Sequence, residues 1–511
     1  MAPVATTLTV PTAAPSATKP LVRDQDEPGV GLGLWPVDFE PTQVDYQKRL
    51  RIIENDDDER LSREISFPLV LVPRSKEERE EVSKGDLLTS IRKLSLPTSE
   101  EREGKSQSGS TTSRLRSLLD SNGGAIQFKR LPLRTADDFS EFVHALAGQR
   151  FDEGEEEEEE EEEEGKREVW IPHQDKGLMV IRTQFSKNVA TANEGPSTQS
   201  IGFHNEYGLS SHFPSYIVFF CVSPPDVGGG GQTPIVSSLA LYDRLKRGPT
   251  EAYLGDLREK GVTFTIHHPS SRLEGSVQGE SVFKSTAFGP TEQEQGEEDR
   301  EELERLKRKV VENHILDLAR EGGWSPNLVV QEQDEEGGGS SPPPNWKVRG
   351  FSWDWKPDGS INVHQRVPGV RIHPTLGRPT YFNNIGNRYG YSKEHGAIDP
   401  PHHSKILAEG PNGERVSFPP PFYCGHGLPS SSSNLRYPPH ESKDHPIPTE
   451  FMQRALELSQ ELASKVEWQT GDVLVLDNLA VQHAREPWKG DRRLLASLWD
   501  QPQLLSKAKP L

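Results

Sequence analysis

Residues 471–485 read GDVLVLDNLAVQHAR. Gly471-Asp472 turns the chain after Val466-Glu467-Trp468, Val473 to Leu476 is a run of four aliphatic residues, and Asp477-Asn478 turns it again. A short apolar run bounded by turn residues predicts a strand buried on both faces. The segment therefore reads strand, turn, strand, and it carries His483 out just beyond a core strand. A second stretch, Phe203-His204-Asn205-Glu206, lies between Gly202 and the apolar run Tyr216 to Cys221. Residues i and i+2 of a strand point to the same face. His204 and Glu206 are thereby expected to present an imidazole and a carboxylate to one ion.

Two histidines and one carboxylate, with the remaining positions open, form the facial triad of non-haem iron oxygenases. His-x-Glu alone is a common triplet, and an ordinary surface pair explains most instances, so the flanking residues carry the decision. Arg493 follows His483 by ten residues, within Gly490-Asp491-Arg492-Arg493-Leu494-Leu495. Thr233 follows Glu206 by twenty-seven, within Gly230-Gly231-Gln232-Thr233-Pro234. An arginine and a hydroxyl meeting in a cavity can bind a carboxylate, the arginine through two donors at once. The competing reading of Arg492 or Arg493 is a plain surface charge.

These blocks resemble the TauD/TfdA family, and most closely its clavaminate synthase-like branch, in which His-x-Glu replaces the commoner His-x-Asp. Further matching pieces are Thr191-Ala192-Asn193-Glu194, Tyr381-Phe382-Asn383-Asn384 and Leu494-Leu495-Ala496-Ser497-Leu498. The resemblance runs in blocks from about Phe67 to Trp499. It implies a double-stranded β-helix (jelly-roll) core and an oxygenase that uses Fe(II), with 2-oxoglutarate and O2 as co-substrates. Such an enzyme releases succinate and CO2 while hydroxylating or desaturating a small organic substrate. Carried over by position, His204, Glu206 and His483 ligate the metal, Arg493 pairs with the distal carboxylate of 2-oxoglutarate, and Thr233 hydrogen-bonds it. Two departures stand out. Glu206 is one methylene longer than aspartate, and Ser497 occupies a position where some members carry a further arginine, which leaves the proximal carboxylate without an assigned partner.

Composition bounds the rest. Only 32% of the 511 residues are hydrophobic, and the chain holds 44 glycines and 42 prolines. A typical globular chain is roughly 45–50% apolar with glycine counted, so one large domain broken by polar insertions is expected. That domain spans 61–505, after a mostly disordered arm over 1–60, with disordered insertions near 76–112, 152–167, 289–302, 331–344 and 426–445. Short strands between turn signals, joined by several helices, predict an α+β class, mainly β, with an antiparallel core. Predicted helices include Arg114 to Ser121, a stretch opened by a Thr135/Asp138 capping box, one marked by Leu303, Leu306, Val310 and Leu316, and one presenting Phe451, Ala455, Leu458 and Leu462.

The formal charge of -20 argues against nucleic acid as a partner. No apolar run is long enough to span a bilayer. The two cysteines, Cys221 and Cys424, rule out a disulfide framework and a cysteine zinc site. A reducing, cytoplasmic setting is expected, and an acid-poor N-terminus with no arginine before Arg23 makes a mitochondrial leader the weaker alternative. Oligomeric state is not legible. The ten glutamates Glu155 to Glu164 read as a solvated loop. His267-His268 and His402-His403 read as ordinary polar histidines, since neighbours on a strand point apart. Gly228 to Gly231 is not a phosphate cradle, because no Lys-Ser/Thr follows. Asn193, Glu194, Asn383 and Asn384 could line the pocket, but hydrogen-bonding structural roles are preferred. Two other functions stay open. The long insertions suit a non-catalytic jelly-roll binding module, and the acidic loop suits a protein-modifying oxygenase.

Overall fold

A computed structural model of the chain describes residues 32, 34, 36–54, 61–74, 82–96, 112–149, 170–175, 182–192, 197–268, 300–320, 351–355, 361–394, 406–409, 415–417 and 447–505. Helices and strands are mixed. The larger sheet runs in the order Asp38–Pro41, Leu69–Arg74, Ala125–Phe128, Val473–Asp477, Tyr216–Ser223, Arg493–Asp500, Val189–Thr191 and Gln184–Ser186, and Ile171–Pro172 also pairs with Arg493–Asp500. A four-stranded sheet runs Ser464–Val466, Thr233–Ser237, Val481–Arg485, Ile201–His204. Its pairings are antiparallel; in the larger sheet only Leu69–Arg74 beside Ala125–Phe128 is parallel.

Side-chain alternation explains why Val473 to Leu476 is apolar throughout. Leu474 and Leu476 pack with Ile217, Phe219, Ala496 and Leu498 against Ile235, Val466 and Val481 of the smaller sheet. Val473 and Val475 point the other way, to a cluster with Leu87, Leu119, Phe139 and Phe142 of the helices Lys84–Arg92, Arg114–Ser121 and Ala136–Leu146. The smaller sheet is covered on its far side by Ser238–Leu245, Ile385–Glu394 and Thr449–Leu462, whose Leu241, Ile385 and Leu458 meet Phe203, Val236 and Ala484. Each fully buried aliphatic side chain contributes about 1.5–3 kcal/mol.

The predicted helix Arg114–Ser121 and the Thr135/Asp138 capping box are present, with Thr135 and Asp138 bonding each other's backbone N–H. Two expectations change. The arm over 1–60 is not all arm: Asp38–Pro41 joins the large sheet, Lys48–Ile53 pairs with Ser62–Phe67, and Leu34, Val37 and Phe39 are core residues. Few apolar positions serve there because each packs into an existing cluster. In the helix Arg300–Arg320 the buried face is Val311, Ile315 and Leu318 against Trp353, Ile361 and Val363; of the predicted stripe, Val310 and Leu316 pack at its edge, while Leu306 is exposed. The insertions at 152–167, 331–344 and 426–445 lie outside the described residues, as do most of those at 76–112 and 289–302, although Lys84–Arg92 and its neighbours in the first are ordered helix.

The turn after Val473–Asp477 is held by charge. Asp477 is fully buried and accepts from Arg116 Nη2 at 2.5 Å and His373 Nε2 at 2.9 Å. Arg116 also bonds Asp120 at 2.6 Å. Burial alone would raise the Asp477 carboxyl, but the Arg116 and His373 charges outweigh it and hold it well below the usual range. Its stabilisation is therefore complete above an unfolded carboxyl's pKa of about 4 and is lost as pH falls toward the folded value. Arg116→Met leaves Asp477 without its guanidinium partner and is expected to lower unfolding free energy by roughly 3–5 kcal/mol. Urea denaturation at neutral pH measures this, and a loss below about 1 kcal/mol would contradict the assignment.

Candidate metal centre

His204 and His483 are direct partners across the antiparallel ladder between Ile201–His204 and Val481–Arg485. Their ring centroids stand 4.2 Å apart. The register slips just beyond, Arg485 facing Ile201, so the His204 strand carries one extra residue. Bulges of this kind re-aim a side chain. Here the bulge brings the Gly202 carbonyl to 2.8 Å from His204 Nδ1. A carbonyl can only accept, so the proton sits on Nδ1 and Nε2 keeps its lone pair. Glycine is required at 202 because a Cβ there would lie 2.7 Å from Asn387 Cα of the covering helix.

Glu206 is placed by its backbone. Its N–H donates to Asn478 Oδ1 at 2.7 Å, and Asn478 Nδ2 donates to the carbonyls of Glu206 and Pro214 at 2.9 and 2.8 Å. Asn205, between His204 and Glu206, points inward and donates to the carbonyls of Asn478 and Val481 at 2.6 and 3.1 Å. Asn383 serves the same scaffold, its N–H bonding Asn205 Oδ1 at 3.0 Å and its Nδ2 the Gly369 carbonyl at 2.9 Å. Asn193 and Glu194 lie outside the described residues.

The Glu206 carboxylate is divided between two partners. Oε2 stands 3.4 Å from His483 Nε2, and Oε1 accepts from Arg182 Nη2 at 2.5 Å. One donor atom from each of His204, Glu206 and His483 falls within 4.8 Å of the other two. Two ligands each roughly 2.0–2.2 Å from an ion stand about 3 Å apart at right angles, close to the 3.4 Å between Glu206 Oε2 and His483 Nε2. Burial, reinforced by His483, pushes His204 down to about 4, which favours the neutral imidazole a metal needs. Burial would raise the Glu206 carboxyl, but the Arg182 charge and the His483 hydrogen bond hold it well below the usual carboxylate range. His483 Nδ1 is buried with no hydrogen-bond partner among the described residues. Two imidazoles and an ionised carboxylate at these distances fit divalent iron. Arg182 had no signal in the sequence, since nothing in its spacing ties it to Glu206.

Thr233 lies two residues along its strand from Ile235, the register partner of His483. It is buried, and its Oγ1 accepts from Trp468 Nε1 at 2.9 Å and Arg492 Nη2 at 3.3 Å. Arg492 also donates from Nε to the Gly231 carbonyl at 2.8 Å. The glycine loop makes room for this arginine. Gly231 has φ +76°, and a Cβ there would stand 2.8 Å from Arg492 Cδ and 2.9 Å from Trp488 Cβ. The guanidinium groups of Arg485 and Arg492 both lie over the Trp488 ring, at 4.8 and 5.1 Å. Burial, then the charge of Arg485, lowers Arg492 to about 10.

Arg493 is not brought to Thr233. Its side chain is 57% exposed and its recorded ion pair is with the exposed Asp491, at 3.8 Å. Parity is the reason. Leu494, Ala496 and Leu498 face the smaller sheet, whereas Leu495 and Trp499 face the helices, and Arg493 belongs to the second set. One residue's displacement along a strand changes the face, so the arginine that reaches Thr233 is Arg492. Among the paired histidines, His267 and His268 end the strand Val262–His268, outside both main sheets, and His402-His403 lie outside the described residues.

The sequence profile of the taurine catabolism dioxygenase TauD, TfdA family matches residues 101–499. The chain belongs to that family and is an Fe(II)- and 2-oxoglutarate-dependent dioxygenase by class. A clavaminate synthase-like protein of Arabidopsis thaliana is 26% identical over 386 residues, covering 75% of this chain and 83% of that protein. The dapdiamide synthesis protein DdaC of Enterobacter agglomerans is 22% identical over 383 residues, covering 74% and 83%. Among solved structures, PvcB of Pseudomonas aeruginosa aligns at 12% identity over 93% of this chain and 94% of its own, with a TM-score of 0.35. A taurine dioxygenase of Burkholderia xenovorans aligns at 11% over 91% and 95%, with a TM-score of 0.33. No helix among the described residues is long and apolar enough to cross a membrane.

His483→Ala is expected to abolish stoichiometric Fe(II) binding while the fold persists. Anaerobic calorimetric titration checks this, and one tight equivalent of iron retained by the variant would contradict the site.

Proposed function

We propose that iron is held by His204, Glu206 and His483, and that the distal carboxylate of 2-oxoglutarate is held by Arg492 and Thr233. In this reading the enzyme hydroxylates or desaturates a small organic substrate. The observation that carries the reading is one of register. His204 and His483 are cross-strand partners, and the Arg492–Thr233 pair begins on the adjacent strand two residues from the partner of His483. Two residues of strand span about 7 Å, a distance a five-carbon diacid can bridge while its other end chelates the ion. Arg492 meets the Gly231 carbonyl, the Thr233 hydroxyl and the charge of Arg485, an environment that favours a bound anion.

The facing sheets are read as the two halves of a double-stranded β-helix, and 61–505 as one catalytic domain, extended at its N-terminal side by the strand Asp38–Pro41. Iron held by His204, Glu206 and His483 would supply the coupling of O2 reduction to decarboxylation of 2-oxoglutarate, with one oxygen atom going to succinate and, for hydroxylation, the other to the substrate. The protein's own residues bind and orient. His204 is kept in one tautomer by Gly202, Glu206 is fixed through Asn478, and Thr233 is steadied by Trp468. The packed sheets keep water from the inner side of the site, since Phe219 lies against the His483 ring at 5.2 Å. The intact ligand set weighs against a non-catalytic binding module. The acidic run that motivates a protein substrate lies outside the described residues.

Arg492→Ala is expected to spare Fe(II) binding and weaken 2-oxoglutarate by about 10-fold or more, the loss of a charge-assisted bond of at least ~1.4 kcal/mol. Arg493→Ala is expected to change it by less than about twofold. Anaerobic 2-oxoglutarate titrations of the two iron-loaded variants decide between the arginines, and the reverse ranking would restore Arg493.

A further inference from the structure

Glutamate is a flexible ligand. It has one more rotatable bond than aspartate, and it can bind a metal through one oxygen or through both. The choice matters for the reaction proposed above. Six positions surround an octahedral ion. Two histidines and a one-oxygen carboxylate leave three, enough for a two-point chelate of 2-oxoglutarate and for O2. A carboxylate bound through both oxygens leaves only two.

The two oxygens of Glu206 have different partners. Arg182 Nη2 donates to Glu206 Oε1 at 2.5 Å, while Oε2 faces His483 Nε2 at 3.4 Å. Both side chains are largely buried, Arg182 17% and Glu206 8% exposed. Arg182 is itself held. Its Nη1 donates to the Ala192 carbonyl at 3.4 Å, and its guanidinium lies 6.0 Å from the centre of the Tyr207 ring. Tyr207 in turn donates to Asp175 at 2.7 Å. A guanidinium is always charged and only donates, so it can neither leave the carboxylate by losing a proton nor bind the metal in its place.

We propose that Arg182 is a positioning residue that ties up Oε1 of Glu206, so that this glutamate serves as a one-oxygen ligand and a coordination position stays open. The proposal rests on the iron reading of the same site. It accounts for how the longer side chain works where aspartate is commoner: the bond to Arg182 removes the freedom that the extra methylene adds. It also has an electrostatic signature. A cation beside the ligand opposes the incoming dication, so Arg182 costs metal affinity while it preserves the open position.

Co(II) is the probe, titrated anaerobically into the full chain and followed by its visible ligand-field bands, with 2-oxoglutarate added afterwards. Arg182→Met is expected to bind Co(II) at least as tightly as the parent protein, with altered band shape and intensity, and to bind 2-oxoglutarate about tenfold or more weakly. Arg182→Lys keeps the charge, so it guards against loss of folding. Lacking the planar fork, it is expected to show the same changes to a smaller degree. A purely structural role would instead lower Co(II) affinity and thermal stability together and leave the band shape alone, and that result overturns the proposal. So does a parent-like spectrum in both variants with 2-oxoglutarate affinity within about twofold. His204→Ala separates the two levels of the argument. If it still binds Co(II) as the parent does, the iron site itself is misassigned; if it does not, a failure with the Arg182 variants belongs to Arg182 alone.

Discussion

The whole site depends on one cross-strand pair. His483 lies opposite His204 in an antiparallel ladder, and that register fixes the separation of the two proposed metal ligands. The register is itself enforced from below. Val473–Asp477 is packed on both faces and lies between Ala125–Phe128 and Tyr216–Ser223 in the large sheet, so it is held in place from four sides. After three intervening residues the chain enters the His483 strand, and the bonds from Arg116 and His373 to Asp477 lock the turn between. The adjoining Asn478 then reaches across to fix Glu206. The hydrophobic core, the buried ion pair and the ligand set are consecutive links of one chain.

Charge is distributed with equal economy. The ligand set brings one negative charge, from Glu206, and Arg182 balances it. The second locus carries Arg492 close to another buried guanidinium, Arg485, over a shared tryptophan. This distribution is what the proposed reading requires: a divalent cation at one end and an organic anion bridging to the other.

Much of this was legible in the sequence, for identifiable reasons. Val473 to Leu476 announced itself because a strand buried on both faces has no polar positions. His204 and Glu206 were visible because two-residue spacing is the period of a strand, although Glu206 itself lies just past the strand's end and is placed by Asn478. Arg493 was chosen over Arg492 by position in the family motif, whereas which of two adjacent arginines reaches Thr233 turns on strand face. Leu494, Ala496 and Leu498 carried the needed parity all along. Arg182 was invisible because its partner is reached through tertiary packing. The strands within 38–53 were missed because their few apolar residues are anchors in clusters built by other segments.

The most direct test of the account is an anaerobic titration of the Fe(II)-loaded protein with 2-oxoglutarate, watching for the weak visible charge-transfer band of an iron-bound 2-oxo acid. The account predicts a band that saturates at one equivalent in the parent protein and is absent from His204→Ala. A parent protein that binds iron yet develops no band, or a His204→Ala variant that develops the same one, would contradict it.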